Sequence, residues 1–144
     1  EPNRDVFAKA RAEAEATQAT LKITHDPAEA ARDADVLYTD VWTSMGHEEH
    51  RARRMRDFQG FQINQALVKA AHKDVMVMHC LPAHRGEEIT DEVMDGRHSI
   101  ILDQAENRLH VQKAILVMVL GRPAQAPRQR WFKTLTRIVR ASER

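Results

Sequence analysis

Short apolar runs separated by polar, helix-forming segments are the clearest pattern along the chain. Three of them, residues 36–39, 75–79 and 99–102, are nearly continuous in apolar or β-branched residues rather than alternating. Such runs are typical of strands that are buried on both faces of a parallel sheet. Residues 21–24 predict one more short strand. We therefore expect an α/β fold with a parallel sheet.

Helix-favouring segments alternate with these runs. Residues 5–19 are rich in Ala, Glu, Lys and Gln, which are good helix formers. Asp26 predicts an N-cap with Pro27 at the first helical position, and Asn64 predicts the cap of a short helix over residues 65–71. The charged residues 47–57 predict an exposed helix, and a long helix is expected from about residue 105 to residue 120.

Composition narrows the class of protein. A chain of 144 residues with 42% hydrophobic and 30% charged residues fits one globular domain. The single cysteine, Cys80, excludes an internal disulfide framework and a cysteine-rich zinc site. No apolar run approaches the roughly 18 residues of a membrane span, and the first residues lack the pattern of a secretory signal. These features predict a soluble, cytoplasmic protein.

The formal net charge of +1 averages two unlike segments. Residues 1–121 carry 15 Lys/Arg and 20 Asp/Glu, whereas residues 122–144 carry 7 and 1. We therefore predict a body over residues 1–121 and a basic tail over residues 122–144. The apolar positions of the tail follow helical spacing, so an amphipathic helix is expected. Docking of this helix on its own or a neighbouring chain is favoured over binding to an anionic membrane or to nucleic acid, and disorder is the remaining alternative.

Polar residues follow the predicted strands, where parallel sheets bind their ligands. Asp40 either binds an ammonium group or merely ends a strand, and Cys80 is either reactive or a small buried hydrophobe. Arg108 is expected in the first turn of the long helix, where the helix dipole disfavours a cation. That position suggests an anionic partner for Arg108, or an ion pair with Asp103 or Glu106.

Two weaker signals concern a loop and a group of histidines. Ser44 precedes a glycine by two positions, and its hydroxyl together with nearby backbone N–H groups suits a carboxylate, but such loops are common. The histidines that raise the question of a metal site are His47, His50, His79 and His84. A metal site is disfavoured because nothing in the sequence supplies a third convergent ligand beside the first two.

Three sequence strings considered together resemble the ornithine carbamoyltransferase family. They are residues 38–46, Tyr-Thr-Asp-Val-Trp-Thr-Ser-Met-Gly, residues 78–88, Met-His-Cys-Leu-Pro-Ala-His-Arg-Gly-Glu-Glu, and residues 104–108, Gln-Ala-Glu-Asn-Arg. They occur in the order and spacing of the family, and the resemblance runs through residues 5–121. The Ser-Met-Gly string points to the ornithine branch rather than the aspartate branch. The fold implied is the parallel α/β sheet of the second domain of the aspartate/ornithine carbamoyltransferases.

The resemblance implies a reaction between L-ornithine and carbamoyl phosphate. The side-chain amine of ornithine attacks the carbamoyl carbonyl, giving L-citrulline and phosphate, and no cofactor or metal is needed. By motif position, the resemblance implies that Asp40 binds the amino groups of ornithine and that Ser44 and Met45 hold its amino-acid end.

The same resemblance implies the contacts to the second substrate. Cys80 is expected beside the attacking amine and the carbamoyl group, and Leu81 is expected to contact carbamoyl phosphate through its backbone. Arg108 is expected to hydrogen-bond the carbamoyl oxygen, where negative charge develops in the transition state. The catalytic residues implied in this way are Asp40, Cys80 and Arg108.

The chain also departs from the family pattern. The Ser-Thr-Arg-Thr-Arg and His-Pro-X-Gln motifs of the family's first domain do not occur in it. The opening strand of the second domain, an Asn-containing loop and the next strand are also not found. We therefore predict a sheet that is incomplete at its N-terminal side, loosely packed or differently paired residues 1–24, and an added C-terminal helix.

These departures leave three classes of function open. The first is a carbamoyltransferase that is inactive alone and is completed by a homo-oligomer or by a complementing N-terminal chain. The second is a non-catalytic module that binds an amino acid. The third is an interaction protein whose basic tail binds anionic surfaces.

Overall fold

The computed structural model describes residues 2–43, 49 and 51–121. In chain order, the elements are α1 (Arg4–Ala16), α2 (Pro27–Ala31), β1 (Val36–Thr39), α3 (Arg51–Asp57), α4 (Gln65–Ala70), β2 (Met76–His79), α5 (Asp91–Met94) and α6 (Ile101–Leu120). Within the described residues, β1 and β2 form a two-stranded parallel sheet. The fold is therefore mixed α/β with a small parallel sheet, as predicted.

Short polar side chains set the starts of three helices. Asn3, Asp26 and Asn64 each accept two backbone N–H hydrogen bonds at 2.9–3.3 Å. Pro27 occupies the start of α2, where its missing N–H leaves no hydrogen bond unmade. The predicted caps at Asp26 and Asn64 are confirmed. Asn3 caps α1 in the same way, and this cap is not among the predicted ones.

Two predicted strands are not formed. Residues 21–24 have no strand geometry, and the side chains of Leu21 and Ile23 are 44% and 42% exposed. At the third apolar run, a single parallel bridge joins Ser99 to Val77, and α6 begins directly afterwards at Ile101. The physical reason is that an apolar run becomes a strand only where a neighbouring strand continues the hydrogen-bonded ladder.

The ends of two other predicted elements also move. The helix predicted over residues 47–57 is observed as α3 from Arg51, and residues 44–48 and 50 lie outside the described residues. The long helix begins at Ile101 rather than near residue 105, which makes Arg108 its eighth residue. The prediction that Arg108 lies in the first turn is therefore wrong, and the helix dipole gives no argument about its partner. Glu106 is engaged with His110, at 3.4 Å between Oε1 and Nε2.

The core lies around β2 and the segments that cover it. Ile63 and Ile89 form a parallel bridge that brings the chain before α4 against the chain before α5. The apolar residues with 2% exposure or less are Ala31, Val75, Val77, Ile89, Val93 and Ile101. This core holds the end of β2, and with it the following residue Cys80, against the interior of the domain.

The chain divides into two compact units, the first over residues 1–105 and the second beginning at Glu106. In the first unit, α1 buries none of its residues, in line with the predicted loose packing of residues 1–24. In the second unit, α6 carries large exposed apolar side chains, among them Leu116, Met118 and Leu120. None of the helices in the described part of the chain combines the length and apolar character required to cross a membrane. The tail over residues 122–144 lies outside the described residues, and the division into body and tail stays a prediction.

Candidate functional site

The parallel register of β1 and β2 brings two of the predicted site residues into contact. Thr39 is paired with His79, so Asp40 and Cys80 are the first residues beyond the two strand ends. The Sγ of Cys80 donates a hydrogen bond to Oδ1 of Asp40, at 3.0 Å. The same oxygen accepts the backbone N–H of Val41 at 2.7 Å. A carboxylate and a thiol thus lie together at the carboxyl end of the sheet.

This contact shifts the pKa values of both groups. The hydrogen bond from Cys80 is the main reason that the pKa of Asp40 is lowered, and the Val41 N–H acts in the same direction. The pKa of Cys80 is raised, first because burial disfavours a thiolate and then because the thiol donates to Asp40. The pair therefore carries one negative charge, on Asp40, beside a neutral thiol at neutral pH. Such a pair suits a cationic ligand better than it suits nucleophilic attack by sulfur.

Gln104 connects the start of α6 to both strand ends. Its Oε1 accepts the backbone N–H of His79 at 3.1 Å, and its Nε2 donates to the Tyr38 hydroxyl at 3.5 Å. The pKa of Tyr38 is raised, mainly by a hydrogen bond with Cys80. Tyr38, Cys80 and Asp40 are thus parts of one polar network.

A buried histidine–glutamate pair lies behind Cys80. His79 and Glu88 are 1% and 0% exposed. The backbone N–H of Leu81 donates to Nδ1 of His79 at 2.8 Å, so the proton of a neutral imidazole is on Nε2. That Nε2 donates to Oε1 of Glu88 at 3.1 Å, and the backbone N–H of His84 donates to the same oxygen at 2.5 Å. Glu88 therefore orients the ring that holds Leu81, as well as the far end of the loop.

The loop after β2 has an unusual backbone and several anchors. Leu81 has a positive φ of 57°, and the Leu81–Pro82 peptide bond is cis. Gln62 Nε2 donates to the carbonyl oxygens of residues 86 and 87, at 2.8 and 2.7 Å. Arg51 forms an ion pair with Glu87. These contacts hold the loop from the side of α3 and α4.

Arg85 is a further anchor, and it supports a prediction about titration. Its Nη1 lies 2.8 Å from a carboxylate oxygen of Asp91 and 2.7 Å from one of Asp95, and the pKa of Asp95 is lowered by this pairing. In Arg85→Gln, we expect the Asp95 pKa to rise toward its ordinary value in a carboxyl-carbon NMR titration. The stabilisation that Asp95 contributes is present above its unfolded-state pKa and is lost as the pH falls through the lower folded-state value. An unchanged Asp95 pKa would contradict the pairing, and Arg53→Gln on α3 is the matched control.

The chain leaving β1 is held by an aromatic contact. The Trp42 ring is stacked on Phe58 at 6.1 Å between centroids, and Arg54 Nη1 donates to the Trp42 carbonyl at 3.1 Å. These contacts fix the chain just before Ser44. Ser44 and Met45 lie outside the described residues, so their predicted roles stay predictions.

The remaining predicted site residues belong to different units. Leu81, like Asp40 and Cys80, is in the first unit, and its backbone is positioned by His79. Arg108 is an exposed residue of the second unit. Its predicted contact with the carbamoyl oxygen stays a prediction.

One cluster in the described residues has the composition of a metal site. Ligand atoms of His84, Glu87 and Glu88 lie within 4.8 Å of one another. Glu88 already accepts two hydrogen bonds through Oε1, and Glu87 is paired with Arg51. Oε1 of both glutamates is thus engaged, whereas Oε2 of both is buried without a hydrogen-bond partner in the described part of the chain. We assign no metal to the cluster.

The sequence reasoning did not single out several members of this site. Tyr38, Gln104 and Glu88 occur within the three family strings without an individual signal of function, and the sequence suggests for His79 only membership of a disfavoured metal site. Glu88 has no separate signal in the sequence because it is one of two adjacent glutamates. Only the fold determines that the second of them is buried.

Comparison with known proteins identifies the family. The family described as aspartate/ornithine carbamoyltransferase, Asp/Orn binding domain, matches residues 1–119. The ornithine carbamoyltransferase of Archaeoglobus fulgidus is 55% identical over 125 residues, which cover 87% of this chain and 39% of that protein. The one from Chlorobaculum tepidum is 50% identical over 143 residues, covering 99% of this chain and 40% of that protein.

Solved structures agree with the sequence match. The ornithine carbamoyltransferase of Pyrococcus furiosus matches with a TM-score of 0.76 and 52% identity, over 84% of this chain and 39% of that chain. The anabolic enzyme of Campylobacter jejuni matches with a TM-score of 0.76 and 36% identity, over 82% of this chain and 39% of that one. The chain spans about two-fifths of the length of the curated relatives it matches. With the match over residues 1–119, this chain belongs to the aspartate/ornithine carbamoyltransferase family through its Asp/Orn-binding domain.

Proposed function

We propose that the chain binds L-ornithine beyond the ends of β1 and β2 and forms the ornithine-binding part of an ornithine carbamoyltransferase. The observation that supports this most directly is the 3.0 Å contact between Cys80 Sγ and Asp40 Oδ1. Both residues occupy family motif positions, and the relatives are named ornithine carbamoyltransferases. In the proposed reaction, the ornithine side-chain amine attacks carbamoyl phosphate to give L-citrulline and phosphate.

Asp40 and Cys80 have different tasks in this proposal. Ionised Asp40 holds the ornithine amine by charge, and its lowered pKa keeps it ionised. The Cys80 thiol is neutral at rest because its pKa is raised. A bound ammonium group next to the thiol would offset the repulsion by Asp40 and make the thiolate easier to form. In this way, the Cys80 thiol would lose its proton to solvent, and the thiolate would then accept the amine proton without acting as a nucleophile.

The other proposed contacts concern orientation and charge. Ser44 and Met45 hold the amino-acid end of ornithine, and the backbone of Leu81 contacts carbamoyl phosphate. Arg108 hydrogen-bonds the carbamoyl oxygen as negative charge develops on it. Most of the rate gain comes from aligning the two substrates. The phosphate-binding motifs of the family's first domain do not occur in residues 1–144, so we propose that another domain or chain supplies them.

The test is calorimetric titration of the purified chain with L-ornithine, together with a citrulline assay on the same sample. We expect ornithine to bind and the isolated chain to form no citrulline. Mixing with a separately expressed carbamoyl phosphate-binding chain of the family is expected to produce citrulline. Asp40→Asn is expected to weaken ornithine binding by about tenfold or more, because it removes a charged partner of the ammonium group.

L-Lysine, which is one methylene longer, is the matched ligand control, and Asp57→Asn on α3 is the matched protein control. No ornithine binding, or binding that Asp40→Asn leaves unchanged, would contradict the proposed site. Ornithine binding without citrulline in the mixture would favour a non-catalytic amino-acid-binding module. Robust citrulline formation by this chain alone would show that a second domain is not required.

A further inference from the structure

A second concave region lies at the amino-terminal end of β2, whereas the Asp40–Cys80 contact lies beyond its carboxyl end. It is a cavity of about 300 Å³ whose lining includes Val68, Lys69, Lys73, Glu92, Val93 and Arg97. A more open hollow of about 500 Å³ adjoins this cavity. The two have Lys73, Arg97 and His98 in common, and the hollow also borders Met76 at the start of β2. The four residues of β2 separate this region from Cys80 by about 13 Å, at roughly 3.3 Å per strand residue.

The cavity combines an apolar floor with a cationic rim. Val68 and Val93 are 7% and 2% exposed and belong to the core of the domain. Lys69, Lys73 and Arg97 are exposed, Glu92 is the acidic residue in the lining of the cavity, and Asp74 borders the adjoining hollow. The lining therefore carries a surplus of positive charge next to an apolar surface.

Arg97 is partly oriented by a neighbouring histidine. Because the carbonyl oxygen of Val75 only accepts, His98 Nδ1 carries the proton and donates to it at 2.9 Å. His98 Nε2 then accepts from Nε of Arg97, at 3.1 Å. This contact uses one donor of the guanidinium group. Within the described part of the chain, no carboxylate pairs with the two terminal nitrogens of Arg97.

Local structure explains only part of the cationic rim. Lys69 lies in the last turn of α4, where the helix dipole favours a cation. Lys73 and Arg97 lie outside helices, so the dipole does not explain them. Lys73 has a 3.9 Å contact with Asp74, but both side chains are at least 75% exposed, and such pairs are weak. The rim therefore has positive charge available for a ligand.

We propose that this cavity binds a small organic phosphate. The phosphate is held by Arg97, whose planar fork suits it, with Lys69 and Lys73 adding charge. The organic part lies against Val68 and Val93. A phosphate dianion matches the surplus of positive charge better than a single carboxylate does. This site is separate from the ornithine site, and the proposal does not depend on the proposed carbamoyltransferase function.

The test is an NMR titration of the whole chain at low salt with phenyl phosphate, inorganic phosphate and benzyl alcohol. We expect saturable shifts of the methyl signals of Val68 and Val93 with phenyl phosphate. Phenyl phosphate should bind at least about threefold more tightly than inorganic phosphate, because the ring covers apolar surface. Benzyl alcohol should not saturate. Added salt should weaken phosphate binding, because exposed charges are screened.

Substitutions then locate the site. Arg97→Gln and Lys69→Gln should each weaken phenyl phosphate binding by about tenfold, whereas Arg53→Gln on α3 should leave it unchanged. The replaced side chains are exposed, and equal urea midpoints would establish that the variants are folded. The proposal is overturned if no saturable shift occurs up to about 10 mM phenyl phosphate. It is also overturned if Arg53→Gln has the same effect as Arg97→Gln, or if benzyl alcohol binds as well as phenyl phosphate.

Discussion

Replacing Glu88 with alanine is expected to lower the free energy of unfolding of the first unit by about 3 kcal/mol. The substitution leaves His79 Nε2–H and the backbone N–H of His84 without their acceptor in a region where Glu88 is 0% exposed. The donor on His79 is buried, so the loss of its acceptor carries a large desolvation cost, whereas His84 is an exposed residue and water can reach its N–H group. This loss is a large fraction of the stability of an ordinary domain.

The measurement is the urea midpoint and slope of each variant, with unfolding monitored by far-UV circular dichroism. Glu88→Gln keeps an acceptor oxygen of the same shape, so we expect it to lose less stability than Glu88→Ala. Glu13→Gln on the exposed helix α1 is the matched control and should be nearly neutral. If Glu88→Ala unfolds at the same urea concentration as the unsubstituted chain, the buried pair does not stabilise the domain.

The same substitution tests the connection between the buried pair and the site. Without Glu88, nothing in the described residues fixes the Nε2 side of the His79 ring, and the Leu81 N–H loses an oriented acceptor. A double-mutant cycle between His79→Gln and Glu88→Gln should give a coupling energy of about 1 kcal/mol or more, because the two groups are in direct contact. Additive effects would mean that the two residues act independently.

Asp40→Asn is expected to make Cys80 react faster with iodoacetamide. In the unsubstituted chain, burial and the hydrogen bond to Asp40 raise the pKa of Cys80, which keeps the thiolate scarce. Removing the carboxylate charge leaves burial, which raises the pKa, and the hydrogen bond with Tyr38, which lowers it, so the pKa of Cys80 should fall. At pH 8, we expect the rate to rise, because a lower pKa increases the fraction of Cys80 that is present as the reactive thiolate.

The measurement is the rate of alkylation from pH 6 to pH 10, with Asp57→Asn as the matched control. A rate that stays constant or falls in Asp40→Asn would contradict the contact between Asp40 and Cys80.

The raised pKa of Cys80 also predicts a pH dependence of stability. Its contribution is fully present below the thiol's unfolded-state pKa and is lost as the pH rises through the higher folded-state value.

The lowered pKa of Asp40 has the opposite consequence. Its contribution to stability is present above the unfolded-state pKa of the carboxyl group and is lost as the pH falls through the lower folded-state value. Asp40→Asn should therefore flatten the stability curve at the acid end as well as shift the loss at the alkaline end.

Local chemistry was enough to predict several features of this protein from its sequence. Asp26 and Asn64 cap helices because a short side-chain oxygen reaches the first free N–H groups, whatever the rest of the fold. The strands over residues 36–39 and 76–79 follow from continuous apolar runs, and the placement of Asp40 and Cys80 at neighbouring strand ends follows from a parallel sheet. The family strings pointed to the same family that the comparisons identify.

Tertiary structure alone decided the rest. Residues 21–24 and 99–102 have strand-like composition, but a strand also requires a partner that continues the ladder, and that partner is not encoded locally. The burial of Glu88 beside His79, with Glu87 instead paired to Arg51, depends on segments far apart in the chain. The cationic cavity likewise combines residues from 65 to 98. Periodicity and propensity act over a few residues, whereas burial, charge clustering and pKa shifts arise only when distant segments are packed together.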